Sequence, residues 1–216
     1  NKIQSKKINA DFIKSIFVYK KLLKKKFKFI QISTDQVYDA KKNEKNREAK
    51  KVIINNEYTK HKLLAEKICK KNKSIILRTN FFGKSETRKQ SFSDWVIKSF
   101  KGNKIFFLVD DVYFSPLRME TISKIILQIL KKEKLKKYGI FNLGSKNGIS
   151  KKDFALKLAS YLKIKKNFFQ TKKINEICNT KRSRNMMMNV TKFEKSFKIM
   201  LPLIESEIKA ESLNYE

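Results

Sequence analysis

The chain is predicted to be an α/β protein, a parallel sheet wrapped by helices on both faces. Three observations carry that expectation. Of its 216 residues 41% are apolar and 12% aromatic, enough to bury a core. Helix-period and strand-like segments alternate along the chain. Ser74-Ile75-Ile76-Leu77-Arg78-Thr79 is largely apolar on both sides, as a strand covered by helices on both faces must be.

In chain order, Phe12, Ile16, Tyr19 and Leu23 recur at helical spacing behind Asn9 and Asp11, both good cap residues, and predict a first helix. A β-rich run, Phe27 to Ser33, follows, and then a polar stretch to Asn56. Glu57 to Asn72 reads as helix, with Leu63, Leu64, Ile68 and Cys69 on its apolar side. After the Ser74 to Thr79 strand come a helix behind Ser91 (92–100), a strand at Ile105 to Val109, a helix from Met119 to Lys132 and a strand at Gly139 to Leu143. Ser150 with Asp153 and Thr191 with Glu194 have capping-box spacing, and Pro202 suits the first turn of a last helix. In such folds ligands bind beyond the carboxyl ends of the strands, which directs attention to the loops after Ile32 and Leu77.

Composition excludes several classes. Five Gly and two Pro rule out collagen-like and low-complexity architectures. Cys69 and Cys178 cannot build a disulfide framework and, with one histidine, cannot furnish a zinc site, so no metal is expected. No apolar run approaches the ~20 residues of a membrane helix, and the polar opening Asn1 to Ala10 does not read as a signal peptide. A cytoplasmic protein without a membrane partner is expected. Lacking an initiator Met, the chain is read as starting inside a longer open reading frame. The net charge of +32 would attract phosphate polymers. Yet nearly all the cations are lysines spread through every segment, Arg standing only at 47, 78, 88, 118, 182 and 184, and no nucleic-acid-binding motif accompanies them. Compositional drift is the preferred reading, and no nucleic-acid partner is expected.

A Ser-His-Asp triad would have to use His61 without a G-x-S-x-G elbow, no P-loop exists, and the glycines at 83, 102, 139, 144 and 148 form no G-x-G-x-x-G. What remains is Tyr58 and Lys62, four apart at the start of a predicted helix and so on one face. An ammonium beside a phenol lowers the cost of phenolate and brings its pKa toward working pH, which suits proton donation to a carbonyl oxygen. The spacing alone is weak: about 1.5 such pairs arise by chance at this lysine content, and Tyr38/Lys42 and Tyr161/Lys165 also match. Only Tyr58/Lys62 opens a helix that follows a strand ending in Ser33-Thr34-Asp35, Tyr58 standing 24 residues after Thr34.

The blocks FIQISTDQVYD, NEYTKHKLLAEK and SIILRTNFFG, followed by DDVYFSPL, YGIFNLGSKNGISKKDFA and KRSRNMMMNVTKFEKSFKIMLP, resemble in order and spacing the extended short-chain dehydrogenases/reductases, in particular the dTDP-4-dehydrorhamnose reductase-like, sugar nucleotide-binding family. The resemblance covers essentially the whole chain and implies a truncated Rossmann-like sheet with a small C-terminal substrate-binding region. Residues 1–83 would be the remaining part of the NAD(P)-binding domain, 84–110 and 145–216 the substrate-binding region, and 111–144 a helix and strand returning to the first domain.

The implied activity is NADPH- or NADH-dependent reduction of a nucleotide-linked 4-keto-6-deoxy sugar, in dTDP-rhamnose and polysaccharide biosynthesis. The alternatives are an NAD-dependent nucleotide-sugar epimerase or dehydratase, or a non-catalytic regulatory homologue. By resemblance Thr34, Tyr58 and Lys62 would be catalytic. Ser33, Tyr58, Lys62, Asn80, Phe81 and Phe82 would meet the cofactor, and Asp35, Gln36, Arg182 and Arg184 the substrate, the arginines at its diphosphate. A homodimer is left open.

Three departures from the family pattern stand out. Gln36 replaces a frequent aromatic residue and Ala40 a common Gly. The glycine-rich turn that holds the pyrophosphate would lie in roughly 70 residues ahead of Asn1, so the chain alone is expected to be inactive. Trp95 is expected in the core, Met186 to Met188 packed under the Arg182 turn, and His61 in solvent.

Overall fold

Ala10, Ile13 and Phe17 form the buried face of the first helical segment. The computed structural model describes residues 2–24, 27–87, 89–132, 136–178 and 182–216. Arg88 and parts of two lysine runs, at 25–26 and 133–135, lie outside the described residues. Helix α1 (Lys2–Lys6) passes through a π-helical turn (Lys7–Asp11) into α2 (Phe12–Leu22). Two expectations fail here. Asn9 and Asp11 lie inside the helical segment and cap nothing, Asn9 donating instead to the Ser5 carbonyl at 3.0 Å. Of the predicted apolar face, Phe12, Tyr19 and Leu23 are exposed and Ile16 is half-buried. Within α2 the stripes Phe12/Ile16/Tyr19 and Ile13/Phe17 both have helical spacing, and packing on Ala65, Cys69 and Ile76 selects the second.

Strand β1 (Ile30–Thr34) begins three residues later than predicted and ends in a 3-10 turn over Asp35–Val37, where the Thr34 hydroxyl accepts from the Gln36 N–H at 3.2 Å. Helix α3 (Glu57–Lys71) is opened by a capping box between Asn56 and Thr59. It returns the chain to β2 (Ile75–Thr79), every residue of which is buried. Next come β3 (Phe81–Phe82), α4 (Phe92–Lys101) capped by Ser91, β4 (Phe106–Val109), β5 (Tyr113–Phe114), β6 (Leu117–Arg118), α5 (Met119–Lys131) and β7 (Gly139–Leu143). Strands β1, β2 and β7 form a parallel sheet in that order, with Thr34 beside Thr79 and Thr79 beside Leu143 at its carboxyl end.

The remainder is β8 (Ile149–Ser150), α6 (Lys151–Tyr161), β9 (Phe169–Lys172), α7 (Ile174–Ile177), α8 (Thr191–Phe197) and α9 (Ile204–Ser212). Strand β4 does not join the main sheet. It pairs in parallel with β9, a strand without a period-2 pattern in the sequence, in a separate ribbon. Ser150 caps α6 as predicted, accepting from the Asp153 N–H at 3.0 Å. Thr191 and Glu194 form no box: Thr191 is the first helical residue, its N–H bound by Asn189, and Glu194 instead accepts from the Leu201 N–H. Pro202 lies before the Leu203 N-cap of α9 rather than in its first turn.

Three apolar clusters follow from this layering. One face of the sheet (Ile75, Leu77, Phe141, Leu143) packs on α5 and α8 through Ile125, Ile129, Phe193 and Phe197, and Met188 joins it. On the other face Ile76 meets Ala65 and Cys69 of α3 and Ile13 and Phe17 of α2. Helices α4, α6 and α9 gather a separate cluster around Phe82, Phe114, Phe154 and Ile208, against which Trp95 packs, stacked on Phe92. Met186, Met187 and Met188 are buried, as expected. A cavity opens between this last cluster and the carboxyl end of the sheet.

Candidate active site

Thr34 ends β1, and Tyr58 and Lys62 lie on the first two turns of α3, so strand end and helix start bring the three side chains to one crevice. The Lys62 Nζ stands 5.7 Å from the centre of the Tyr58 ring and donates to the Ile32 carbonyl at 3.0 Å. Burial raises the Tyr58 pKa above that of a free phenol; the Thr34 hydroxyl is near enough to oppose the rise by hydrogen bonding, and the Asp35 charge adds to it. The direction differs from the expectation that Lys62 would bring the phenol down. Burial dominates, while one N–H of the ammonium is directed to a backbone carbonyl. The phenol is thus held protonated, as a donor. Burial lowers the Lys62 pKa, against the pull of Glu66.

Asp35 is buried at the head of the crevice. Its Oδ2 accepts from the Asn80 amide at 2.8 Å, and its Oδ1 has no hydrogen-bond partner among the described residues. Burial pushes its carboxyl up to about 7, despite the Asn80 hydrogen bond and the charge of Lys151. Asn80, Gln36, Phe81 and Phe82 line the adjoining cavity of about 430 Å³. Phe82 is also part of the core, edge-on to Phe154 at 4.8 Å. Arg182 lines the far side, together with Asn55, Phe92, Phe114, Lys151 and Cys178.

Two predicted site residues face elsewhere. The Ser33 hydroxyl points behind the sheet and donates to Glu66 Oε1 at 2.6 Å, leaving only its backbone toward the crevice. Arg184 is outside the cavity lining; it donates to Asn175 Oδ1 at 3.2 Å and faces Asp111 at 3.6 Å. His61, expected in solvent, is buried, with Nδ1 3.0 Å from the Ser5 hydroxyl and Nε2 3.6 Å from Glu57. The first helix covers it, which the sequence around His61 could not indicate. Tyr38, expected in a polar loop, is fully buried and donates to Asn142 Oδ1 at 2.8 Å.

Sequence reasoning also missed the support beneath the crevice. Glu66 receives two hydrogen bonds from Arg78, at 2.9 and 2.7 Å, and one from Ser33; Arg78 donates further to the Tyr38 hydroxyl at 2.8 Å. This buried chain ties α3, one turn beyond Lys62, to β1, β2 and β7. It holds the Tyr58/Lys62 face against the strand ends. One signal was available: Arg78 stands inside an otherwise apolar strand, where a cation needs a partner.

Chemically, the crevice offers a protonated phenol and a hydroxyl converging on one point. It also offers an ammonium with two N–H groups left for a diol, and a buried carboxyl titrating near neutrality. That set can polarise and protonate a carbonyl oxygen and can hold a ribose beside it. Among the described residues no group of side chains could hold a metal ion, and no helix is long and apolar enough to cross a membrane.

Residues 1–214 match the RmlD substrate binding domain family. Among solved structures the chain is similar to a dTDP-4-dehydrorhamnose reductase from Bacillus anthracis in complex with NADP, at TM-score 0.83 and 22% identity over 95% of this chain and 72% of that one. It is also similar to a hypothetical dTDP-4-dehydrorhamnose reductase from Sulfolobus tokodaii (TM-score 0.73, 27% identity, 90% and 67% covered). A third likeness is to the dTDP-glucose 4,6-dehydratase of Bacillus anthracis in complex with NAD (TM-score 0.81, 18% identity, 100% and 70% covered). A search of curated proteins returned no match.

Proposed function

The chain belongs to the RmlD substrate binding domain family, and on that premise we propose that it serves NAD(P)H-dependent reduction of the 4-keto group of a nucleotide-linked 6-deoxy sugar. The observation that carries the reading is the meeting of Thr34, Tyr58 and Lys62 at one strand end, with the phenol held protonated.

Lys62 would hold the nicotinamide ribose through the N–H groups it does not direct to Ile32, with Asn80, Phe81 and the Ser33 backbone beside the ring. The cofactor, when bound, supplies hydride to the carbonyl carbon. As charge grows on the carbonyl oxygen, Thr34 donates a hydrogen bond and Tyr58 gives up its proton, so both groups act where the transition state is more negative than the ketone. Asp35 and Gln36 would contact sugar hydroxyls, and Arg182 the diphosphate. Arg184, turned toward Asp111 and Asn175, is left out of that role. The substrate-binding region would comprise 84–110 and 145–216, which supply Phe92, Lys151, Ile174, Cys178, Arg182 and Met186 to the cavity lining.

Tyr58→Phe in the full-length protein keeps the ring and removes the proton donor. Turnover of dTDP-4-keto-6-deoxy sugars, followed as loss of reduced nicotinamide, should fall ~10²- to 10⁴-fold with little change in substrate affinity. An unchanged rate would refute Tyr58 as donor.

A dehydratase or epimerase reading is favoured by one feature, the Asp35 carboxyl at about 7, which could protonate a leaving hydroxyl. The two readings separate on product. A reductase consumes one reduced nicotinamide per turnover, whereas a dehydratase releases water and leaves the cofactor as it was.

A further inference from the structure

The cavity contains two cations whose charge the described residues do not balance. Lys151 opens α6, its N–H donates to the Val112 carbonyl at 2.9 Å, and its side chain lines the cavity. The Lys151 Nζ lies 5.4 Å from the centre of the Phe92 ring, and among the described residues it has neither a hydrogen-bond acceptor nor a carboxylate within ion-pair distance. Arg182, on the same cavity, likewise has no such partner among them. Three other cations of these elements are paired: Lys157 with Glu205, Lys173 with Asp110 and Arg184 with Asp111.

Burial lowers the Lys151 pKa; the Asp35 carboxyl draws it back up, and the Arg182 charge pushes it down again. The Asp35 carboxyl is the carboxylate that acts on Lys151, yet burial raises its own pKa and so weakens it as a counter-charge. Lys151 stands partly buried beside the Phe92 ring, where an electrostatic interaction counts for more than in water, while Arg182 is exposed at the cavity lining. An anion between them removes the repulsion and gains two charge-assisted hydrogen bonds.

We propose that Lys151 and Arg182 form a two-cation subsite for an anionic oxygen group, and that Lys151 is a specificity-determining residue of the cavity. The group is either the diphosphate of the substrate or a carboxylate on its sugar. The inference rests on the reading of this cavity as the substrate site, but not on the reaction performed there.

The test measures calorimetric binding of inorganic pyrophosphate, thymidine diphosphate, UDP-glucose and UDP-glucuronate at about 0.15 M salt, which screens the diffuse charge of the surface. Lys151→Met keeps the stem and removes the charge. Lys151→Arg keeps the charge and guards against a folding artefact. Lys124→Met changes an exposed lysine paired with Glu120 on α5 and serves as control.

If the diphosphate is the ligand, Lys151→Met weakens pyrophosphate and thymidine diphosphate about tenfold or more, Lys151→Arg restores binding, and the control has no effect. If the carboxylate is the ligand, Lys151→Met leaves those two probes unchanged and abolishes only the preference for UDP-glucuronate over UDP-glucose. Either result supports the subsite. Affinities for all four probes that are unchanged in Lys151→Met, or that fall equally in Lys124→Met, overturn it. A wild-type chain that binds pyrophosphate through Lys151 but binds no nucleotide retains the subsite and refutes the nucleotide-sugar reading instead.

Discussion

Replacing Asp35 with Asn should stabilise the protein, and by an amount that depends on pH. The folded-state pKa of Asp35, about 7, lies above the ordinary 3.8, so between those values the folded protein keeps a proton that the unfolded chain has released. Raising the pH through this window forces the buried carboxyl to ionise, and wild-type stability falls relative to a variant that carries no charge there. One pH unit is worth about 1.4 kcal/mol, so from 3.8 to about 7 the burden grows to about 4 kcal/mol. Asn80 and Lys151 already draw the carboxyl down, so this is what remains after their help. The Asn side chain can still accept from Asn80, which keeps the substitution conservative. Urea unfolding of both proteins from about pH 4 to about pH 8 should give matching stabilities at the acid end and a gap that widens with pH and levels off above neutrality. Parallel stability curves would refute the assignment of a buried, proton-holding carboxyl.

Glu66→Gln should be strongly destabilising, because it leaves the Arg78 guanidinium buried and unpaired beside Tyr38. A loss of about 3–5 kcal/mol corresponds to roughly 10 °C in a chain of this size by calorimetry, and a loss below ~1 kcal/mol would show that the pair is dispensable. A thiol reagent at neutral pH should modify Cys178, which lines the cavity, well before Cys69, whose buried thiol is pushed up to about 12. Mass mapping of the first adduct decides it, and labelling of Cys69 first would contradict the described packing.

The sequence by itself determined the α/β alternation and the start of α3. Helix and strand periods are local, and a cap such as Ser91 or Ser150 acts within three residues of itself. That Tyr58 and Lys62 share a helix face is likewise local, but their placement beside Thr34, 24 residues earlier and across a polar stretch, came from the family resemblance and not from spacing. Only the tertiary structure decided the rest. The inward side of α2 depended on Ala65, Cys69 and Ile76, none of which lies nearby in sequence. Strand β4 found β9, more than sixty residues on, through a ribbon that neither segment announces alone. Tyr38, Glu66 and Arg78 read as scattered polar residues until folding places them in one hydrogen-bonded chain, and Lys151 reads as one lysine among many until α6 turns it into the cavity beside Asp35 and Arg182. Backbone preference is set by neighbours in sequence, whereas the worth of a charge is set by whatever surrounds it, and that becomes known only when distant segments have packed.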